Sequence, residues 1–299
     1  MQTKEANTNA MNIGEVLKRE ESFPVSISLN QMDKKILGFV DWHWHDDIQL
    51  CIVEKGSIVF SVRQKEFILE KGQGIFINGG CLHMAKPYTE QDSSYSYIAF
   101  DVKMLEFFSD SGFVDKYVNP YIKRKDFYSI VLDNLSFDSA EILGYIREIC
   151  NLYANKPFGY EFDICIYIAS IWRLLTKKCD ISNNGEDEED CINYRRVKSI
   201  MSYIHENYRE KISLQDIADV AGLSKGECCR FFKRMTKCTI FEFVNNYRIN
   251  KSIELLQNTD LSVGEIAEMS GFGGPSYYIE SFKKRLGCTP KEYRNRFIK

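Results

Sequence analysis

The sequence predicts a multidomain α+β chain: a β-barrel with accessory helices in the N-terminal half, and an all-α C-terminal half with two helix-turn-helix units. Three observations carry the prediction. Strand-like runs crowd residues 24–102, residues 213–243 are echoed in 262–293, and the charge reverses sign between the halves. The composition agrees. With 299 residues, 44% hydrophobic and 27% charged, the chain can bury sizeable cores; disordered, collagen-like and disulfide-scaffold classes are excluded. Its longest apolar run, 164–172, lies between Asp163 and Arg173 and falls short of the roughly 18–20 residues of a membrane span. The opening MQTKEANTNAMN has no basic-then-apolar export pattern, and ten irregularly spaced cysteines read as reduced thiols. The expected location is the cytoplasm, with no membrane partner and no cofactor.

The barrel comes first. FPVSISL, ILGFVDWHWH, IQLCIVEKGSIVFSVRQKEFILEKGQGIFINGG and YSYIAFDV alternate and are punctuated by turn residues, as the strands of a sandwich or barrel are. This gives a barrel over 21–138 behind a polar tail, 1–20. Within it His43, His45 and Gln49 share strand parity, and His83 follows the glycine-rich stretch 72–80, which can return it to the same interior place. Residues 105–138 show no regular pattern. Residues 139–155 and 160–178 then read as two amphipathic helices, with stripes Ile142, Ile146, Ile149, Leu152, Tyr153 and Phe162, Cys165, Ala169, Trp172, Leu175. Such stripes ordinarily belong to a protein's own core.

CDISNNGEDEEDC, 179–191, is the most acidic stretch and reads as a linker. Residues 1–190 hold 20 Lys+Arg against 30 Asp+Glu, net −10, whereas 191–299 hold 19 against 12, net +7. Such asymmetry suggests that the basic half meets a polyanion; chance surface charge is the alternative.

In the basic half, Ser213 and Ser262 fall in register and suit N-caps, with Asp216 and Glu265 three residues on. Ile217-Ala218 matches Ile266-Ala267, Gly222 matches Gly271 as a helix stop, and Phe232-Lys233 matches Phe282-Lys283 after one extra residue. A second helix starts at Ser224 in one copy and near Gly274-Pro275 in the other. Between the copies, Ile240 to Gln257 supports a longer helix with Phe241, Val244, Ile249, Ile253 and Leu256 as its buried side. Helix-turn-helix units push a second helix into the DNA major groove. A helical module that binds protein is the alternative; duplication, glycine turns and positive charge favour DNA.

Residues 192–299 resemble the DNA-binding domain of AraC-type bacterial transcription regulators, most closely in IAEMSGFGGPSYYIESFKKRLGCTPKEYR. The resemblance implies that both second helices are recognition helices. The first offers Lys225, Gly226, Glu227, Cys229 and Arg230, and a guanidinium such as that of Arg230 can bond a guanine edge in bidentate fashion. The second offers Pro275, Ser276, Tyr277 and Glu280; Glu280 aligns with Arg230, so this copy reads less sequence. Lys233, Arg234, Lys283, Lys284 and Arg285 fit phosphate contacts. Lys237 stands where the second copy has Gly287, a departure at the turn that follows.

His43, His45, Gln49 and Gly56 resemble the cupin pattern H-x-H-x3-E-x6-G apart from glutamine for glutamate, and Gly72, Gly80 and His83 resemble its second motif with Asn78 for proline. In metal-dependent cupins three histidines and the glutamate hold a divalent ion. Gln49 removes the anionic ligand and weakens a site for iron, manganese or nickel, whereas three histidines still suit zinc. A metal site, a pocket that hydrogen-bonds a polar small molecule, and purely structural histidines remain open.

In AraC-type regulators a cupin-like sensor precedes the DNA-binding domain, and the helical pair 139–178 is a candidate dimer interface. The expectation is a one-component regulator, not an enzyme. Its expected partners are double-stranded promoter DNA, a small polar effector with sugars among the candidates, a second copy of the chain, and RNA polymerase as a further candidate. The rival is a metal-dependent cupin enzyme with a regulatory helical domain.

Overall fold

The computed structural model describes residues 23–32, 38–89, 92–107, 112–124, 126–177 and 188–297, without the side chains of 188–191 and 296–297. The chain divides into two compact units, Met1–Glu186 and Asp187–Lys299. The expected tail, 1–20, lies outside the described residues, as do 179–187 of the expected acidic linker.

The first unit is a sandwich of two antiparallel sheets. Its strands are β1 Val25–Gln31, β2 Val40–His43, β3 Ile48–Lys55, β4 Ser57–Val62, β5 Lys65–Glu70, β6 Gly74–Ile77, β7 His83–Pro87, β8 Ser94–Phe100 and β9 Ser129–Leu132. One sheet has the order β1-β8-β3-β6-β9, the other β2-β7-β4-β5. Strand β3 is buried on both faces for six residues, which is why IQLCIV is apolar without clean alternation. Its Ile48, Leu50 and Ile52 join one core with the helices, while Cys51 and Val53 join a second core between the sheets.

A 3₁₀ turn at Val102–Leu105 leads into the region without a sequence pattern, which holds the short helices α1 Phe113–Tyr117 and α2 Asn119–Ile122, and β9, which pairs with β6. Helices α3 Phe137–Asn155 and α4 Tyr160–Lys177 then pack on the five-stranded sheet, so their stripes are this unit's own core. The α3 stripe is as expected at Ile142, Ile146 and Ile149; Leu152 and Tyr153 are partly buried against the same cluster. The α4 stripe is rotated. Ile164, Ile168, Ile171, Trp172 and Leu175 are buried, Cys165 and Ala169 only in part, and Phe162 is 72% exposed. The cause is that α4 is apolar on more than one side, so periodicity alone does not fix its phase.

The second unit is all helical. Helix α5, Glu188–Asn207, takes up the end of the expected linker; α6 Leu214–Ala221, α7 Lys225–Thr236, α8 Ile240–Asn258, α9 Val263–Met269, α10 Pro275–Leu286 and α11 Pro290–Phe297 follow. The predicted N-caps are present. Ser213 with Asp216 and Ser262 with Glu265 form full capping boxes, and Ser224 with Glu227 and Thr239 with Glu242 form two more. Phe241 is a correction: it is 48% exposed, and Phe243 is buried in its place against Phe232 and His205. One helix carries Phe241, Phe243 and Val244 within four residues, and only the partner surface selects among them. Lys237 adopts the same left-handed turn as Gly287, with φ 63° against 72°, so the two copies end alike.

The units of the repeat are clamped together. Arg248 on α8 donates from Nε to the Tyr208 carbonyl at 2.8 Å and from Nη2 to that of Glu210 at 2.8 Å, both just beyond α5. The Tyr208 carbonyl also lies where a Cβ on Gly271 would fall, and Gly271 has φ +78°. Gly271→Ala is therefore expected to destabilise this unit by more than about 2 kcal/mol. Gly222→Ala, at φ +63° with nothing nearby, should cost only the about 1–2 kcal/mol of a left-handed alanine. Hydrogen exchange of α8 and α10 amides reads both.

His205 packs on Tyr247 and Phe243 with ring centroids 4.6 and 5.6 Å away. Burial, with Lys251 adding, holds its pKa down to about 3. The unfolded chain takes up this proton near pH 6.5 and the folded chain does not. The stability due to neutral His205 is thus complete above about pH 6.5 and is lost as pH falls towards 3, at up to about 1.4 kcal/mol per pH unit. In His205→Phe, α8 amide exchange should respond less to acid across that window than in the parent chain.

Candidate functional site

Two places in the chain gather the predicted residues. The first is a corner of the sandwich. His43 ends β2 and pairs across to His83, which begins β7, while Gln49 belongs to β3 of the other sheet. His45 lies in the bend between them. The three histidines and Gln49 do converge, but not through shared strand parity, which cannot run through a bend from one sheet to the other. One extra residue in β2 between Val40 and His43 shifts the register and sets His43 beside His83.

The ring centroids stand 4.1 Å apart for His43–His83, 5.1 Å for His45–His83 and 5.8 Å for His43–His45. Each Nδ1 faces a backbone carbonyl, which can only accept. His43 donates to Asp41 at 2.8 Å, His45 to Asp47 at 3.0 Å and His83 to Cys81 at 2.8 Å. The Nδ1 proton is thereby fixed, and a neutral ring keeps its lone pair at Nε2. His45 Nε2 lies 2.8 Å from Gln49 Oε1, whose amide donates onward to Cys51 Sγ at 3.1 Å. His83 Nε2 is buried with no hydrogen-bond partner.

Burial holds His83 well below the ordinary histidine range, with His43 and His45 adding to the effect. Burial also lowers His45, against opposing hydrogen bonds from Gln49 and Asp47. The Cys51 thiol is pushed up to about 12 by burial, so it stays protonated. The bend is held by Gly80, whose N–H donates to the His45 carbonyl at 2.7 Å. Gly79 lets the Asp46 carbonyl approach where any Cβ would overlap it. Asn78, in the place of the expected proline, donates from its side chain to the Ile122 carbonyl at 3.2 Å and accepts from Gly79 N–H at 2.9 Å. Among the described residues, His43, His45 and His83 form a group whose ligand atoms lie within 4.8 Å of one another, a spacing that an ion can draw on.

The second place is formed by α7 and α10. Lys225, Gly226, Glu227, Cys229, Arg230, Lys233 and Arg234 are all exposed, as are Pro275, Ser276, Tyr277, Glu280, Lys283, Lys284 and Arg285. Cys228, Phe231, Phe232, Tyr278 and Phe282 turn inward. Arg230 lies back along its helix over Gly226, where a Cβ would meet its Nη1 at 3.5 Å. The Glu227 carboxylate closes the capping box with Ser224, and this bond holds its pKa low. Two residues were not legible in the sequence. Asn245 on α8 donates to the Tyr277 hydroxyl at 2.8 Å, and Arg196 on α5 acts electrostatically on Glu227. Each is separated from its partner by about thirty residues, beyond any local pattern.

Known proteins place both halves. Residues 37–159 match the family described as AraC-like ligand binding domain, and 217–296 match the one described as Helix-turn-helix domain. The chain is 33% identical over 279 residues to the HTH-type transcriptional regulator YdeC of Bacillus subtilis (strain 168), covering 92% of this chain and 93% of that protein. It is 30% identical to the HTH-type transcriptional regulator YdiP of Escherichia coli (strain K12), covering 85% and 81%. Among solved structures, ToxT of Vibrio cholerae with unsaturated fatty acid bound is similar at TM-score 0.45 and 17% identity, over 93% of this chain and 97% of that one. These relatives lend no support to the enzyme alternative. No described helix is long and apolar enough to cross a membrane. The chain belongs to the AraC family of transcription regulators, with a ligand-binding domain ahead of a helix-turn-helix DNA-binding domain.

Proposed function

We propose that this regulator takes its effector at His43, His45, Gln49 and His83 and thereby changes how α7 and α10 engage promoter DNA. The observation that carries the DNA half is the sorting of both second helices into one buried apolar face and one exposed face rich in Lys and Arg. Arg230 reads a base, with Lys225, Gly226, Cys229, Pro275, Ser276, Tyr277 and Glu280 beside the groove floor. Glu227 sets the start of α7. Lys233, Arg234, Lys283, Lys284 and Arg285 hold phosphates and set the register.

The chemistry of the corner favours a particular effector. It converges lone pairs rather than donors, so its occupant brings hydrogen-bond donors, as sugar hydroxyls do, or a positive charge. For occupancy to regulate, it must favour one DNA-binding arrangement over another, typically by about 1–3 kcal/mol. The regulator acts as a homodimer in this reading. The exposed ridge of Phe158, Phe162 and Ile166 at the start of α4 supports it, being apolar surface that a second copy would cover. RNA polymerase is the partner an activator would meet at the promoter.

Fragments of the source genome retained by the full chain at moderate salt should be enriched in a few upstream regions. Absence of salt-sensitive binding to any duplex would overturn the DNA reading. Arg230→Ala should relax preference at one base pair by about 1–3 kcal/mol, measured by competition among single-base variants of a retained site. Lys284→Ala should weaken all sequences alike and reduce the salt slope by about one, measured by titration against ionic strength.

A further inference from the structure

We infer that the corner of His43, His45, Gln49 and His83 is a site for a zinc-type divalent ion, and that this ion is the effector the regulator senses. The inference rests on the reading that the barrel is the sensor. Three of the chain's four histidines stand here. All three commit Nδ1 to a backbone carbonyl, the outer-shell arrangement that fixes a metal-binding imidazole with Nε2 as the ligand atom.

Two further observations point to an occupant. His83 Nε2 is buried and has no hydrogen-bond partner, a costly arrangement for a lone pair. His45 Nε2 and Gln49 Oε1 face each other at 2.8 Å, and with the His45 proton already on Nδ1 both atoms present lone pairs. A single shared proton, or rotation of the Gln49 amide so that its oxygen accepts from the Cys51 thiol, would relieve that one contact and leave His83 unsatisfied. One cation relieves both.

The donor set selects the ion. Three imidazole nitrogens and an amide oxygen carry no charge, which suits zinc better than iron, manganese or magnesium, whose sites draw on carboxylates. Asp46 and Asp47 act electrostatically on His45 and supply negative charge nearby without being placed as ligands. The ligands also come from different parts of the fold. His43 and His83 lie on one sheet, Gln49 on the other, and His45 in the bend, so a shared ion ties the two sheets together at one end.

The test uses the full chain, stripped with chelator and titrated with zinc. Metal content, cobalt ligand-field absorption and melting followed by tryptophan fluorescence are the readouts. All three tryptophans lie in the first unit, so fluorescence reports the sensor. One equivalent should bind and raise the melting temperature with the logarithm of free zinc. His43→Ala, at a half-buried position, should weaken binding by more than the roughly 10–100-fold that loss of an outer-shell partner costs. Gln49→Glu should tighten it. No uptake, or uptake indifferent to both substitutions, overturns the site. Uptake that leaves affinity for a retained DNA fragment unchanged overturns the effector role. Lack of salt-sensitive DNA binding with and without zinc overturns instead the regulator reading on which the inference rests.

Discussion

The sensor depends on one strand that is buried on both faces. Strand β3 sends Ile48, Leu50 and Ile52 into the core shared with α3 and α4, and alternates them with Gln49, Cys51 and Val53 towards the space between the sheets. Gln49 of the histidine corner and Leu50 of the helical core are therefore covalent neighbours. Because interiors are close-packed, a change at Gln49 is transmitted to the packing of Leu50 rather than absorbed by slack. This explains why a small ligand in such a barrel need not touch the helices to disturb them.

A different constraint governs the DNA-binding unit. Two helix-turn-helix copies can address one duplex only if their spacing is fixed, and α8 alone does not fix rotation about its own axis. The Arg248 bonds to the Tyr208 and Glu210 carbonyls and the glycine contact at Gly271 anchor the chain after α5 to both α8 and the turn of the second copy. Asn245 ties α8 to the first turn of α10 through Tyr277. Glu242, at the start of α8, lies within the electrostatic reach of Lys233 and Lys284 at the ends of the two second helices.

Much of this was legible, for reasons that differ by residue. Capping boxes are local, so Ser213 with Asp216 and Ser262 with Glu265 could be read directly and are present. The repeat was legible because both copies must make the same turn, down to Lys237 doing what Gly287 does. Tertiary selection was not legible. The phase of α4 and the exchange of Phe241 for Phe243 are settled by the surface each helix meets, where the sequence offers more apolar residues than one face can bury. Strand β9 was missed because SIVL is too short to stand out until β6 is there to pair with it. The histidines were found by their types and spacing, while the reason for their convergence lies in a β2 bulge that strand alternation does not reveal.

In the proposed reading, Gln49 distinguishes a sensing site from one that holds a resident ion. A carboxylate in its place would stand 2.8 Å from a buried imidazole nitrogen, and a buried charge without its partner is strongly destabilising. Empty, such a site would have to hold a proton, on the carboxylate or on His45, that the ion displaces on binding. In the proposed reading the neutral amide binds the ion more weakly but needs no such proton, and its N–H is donated to Cys51. In that reading a site that must stand both filled and empty is better served by the weaker donor.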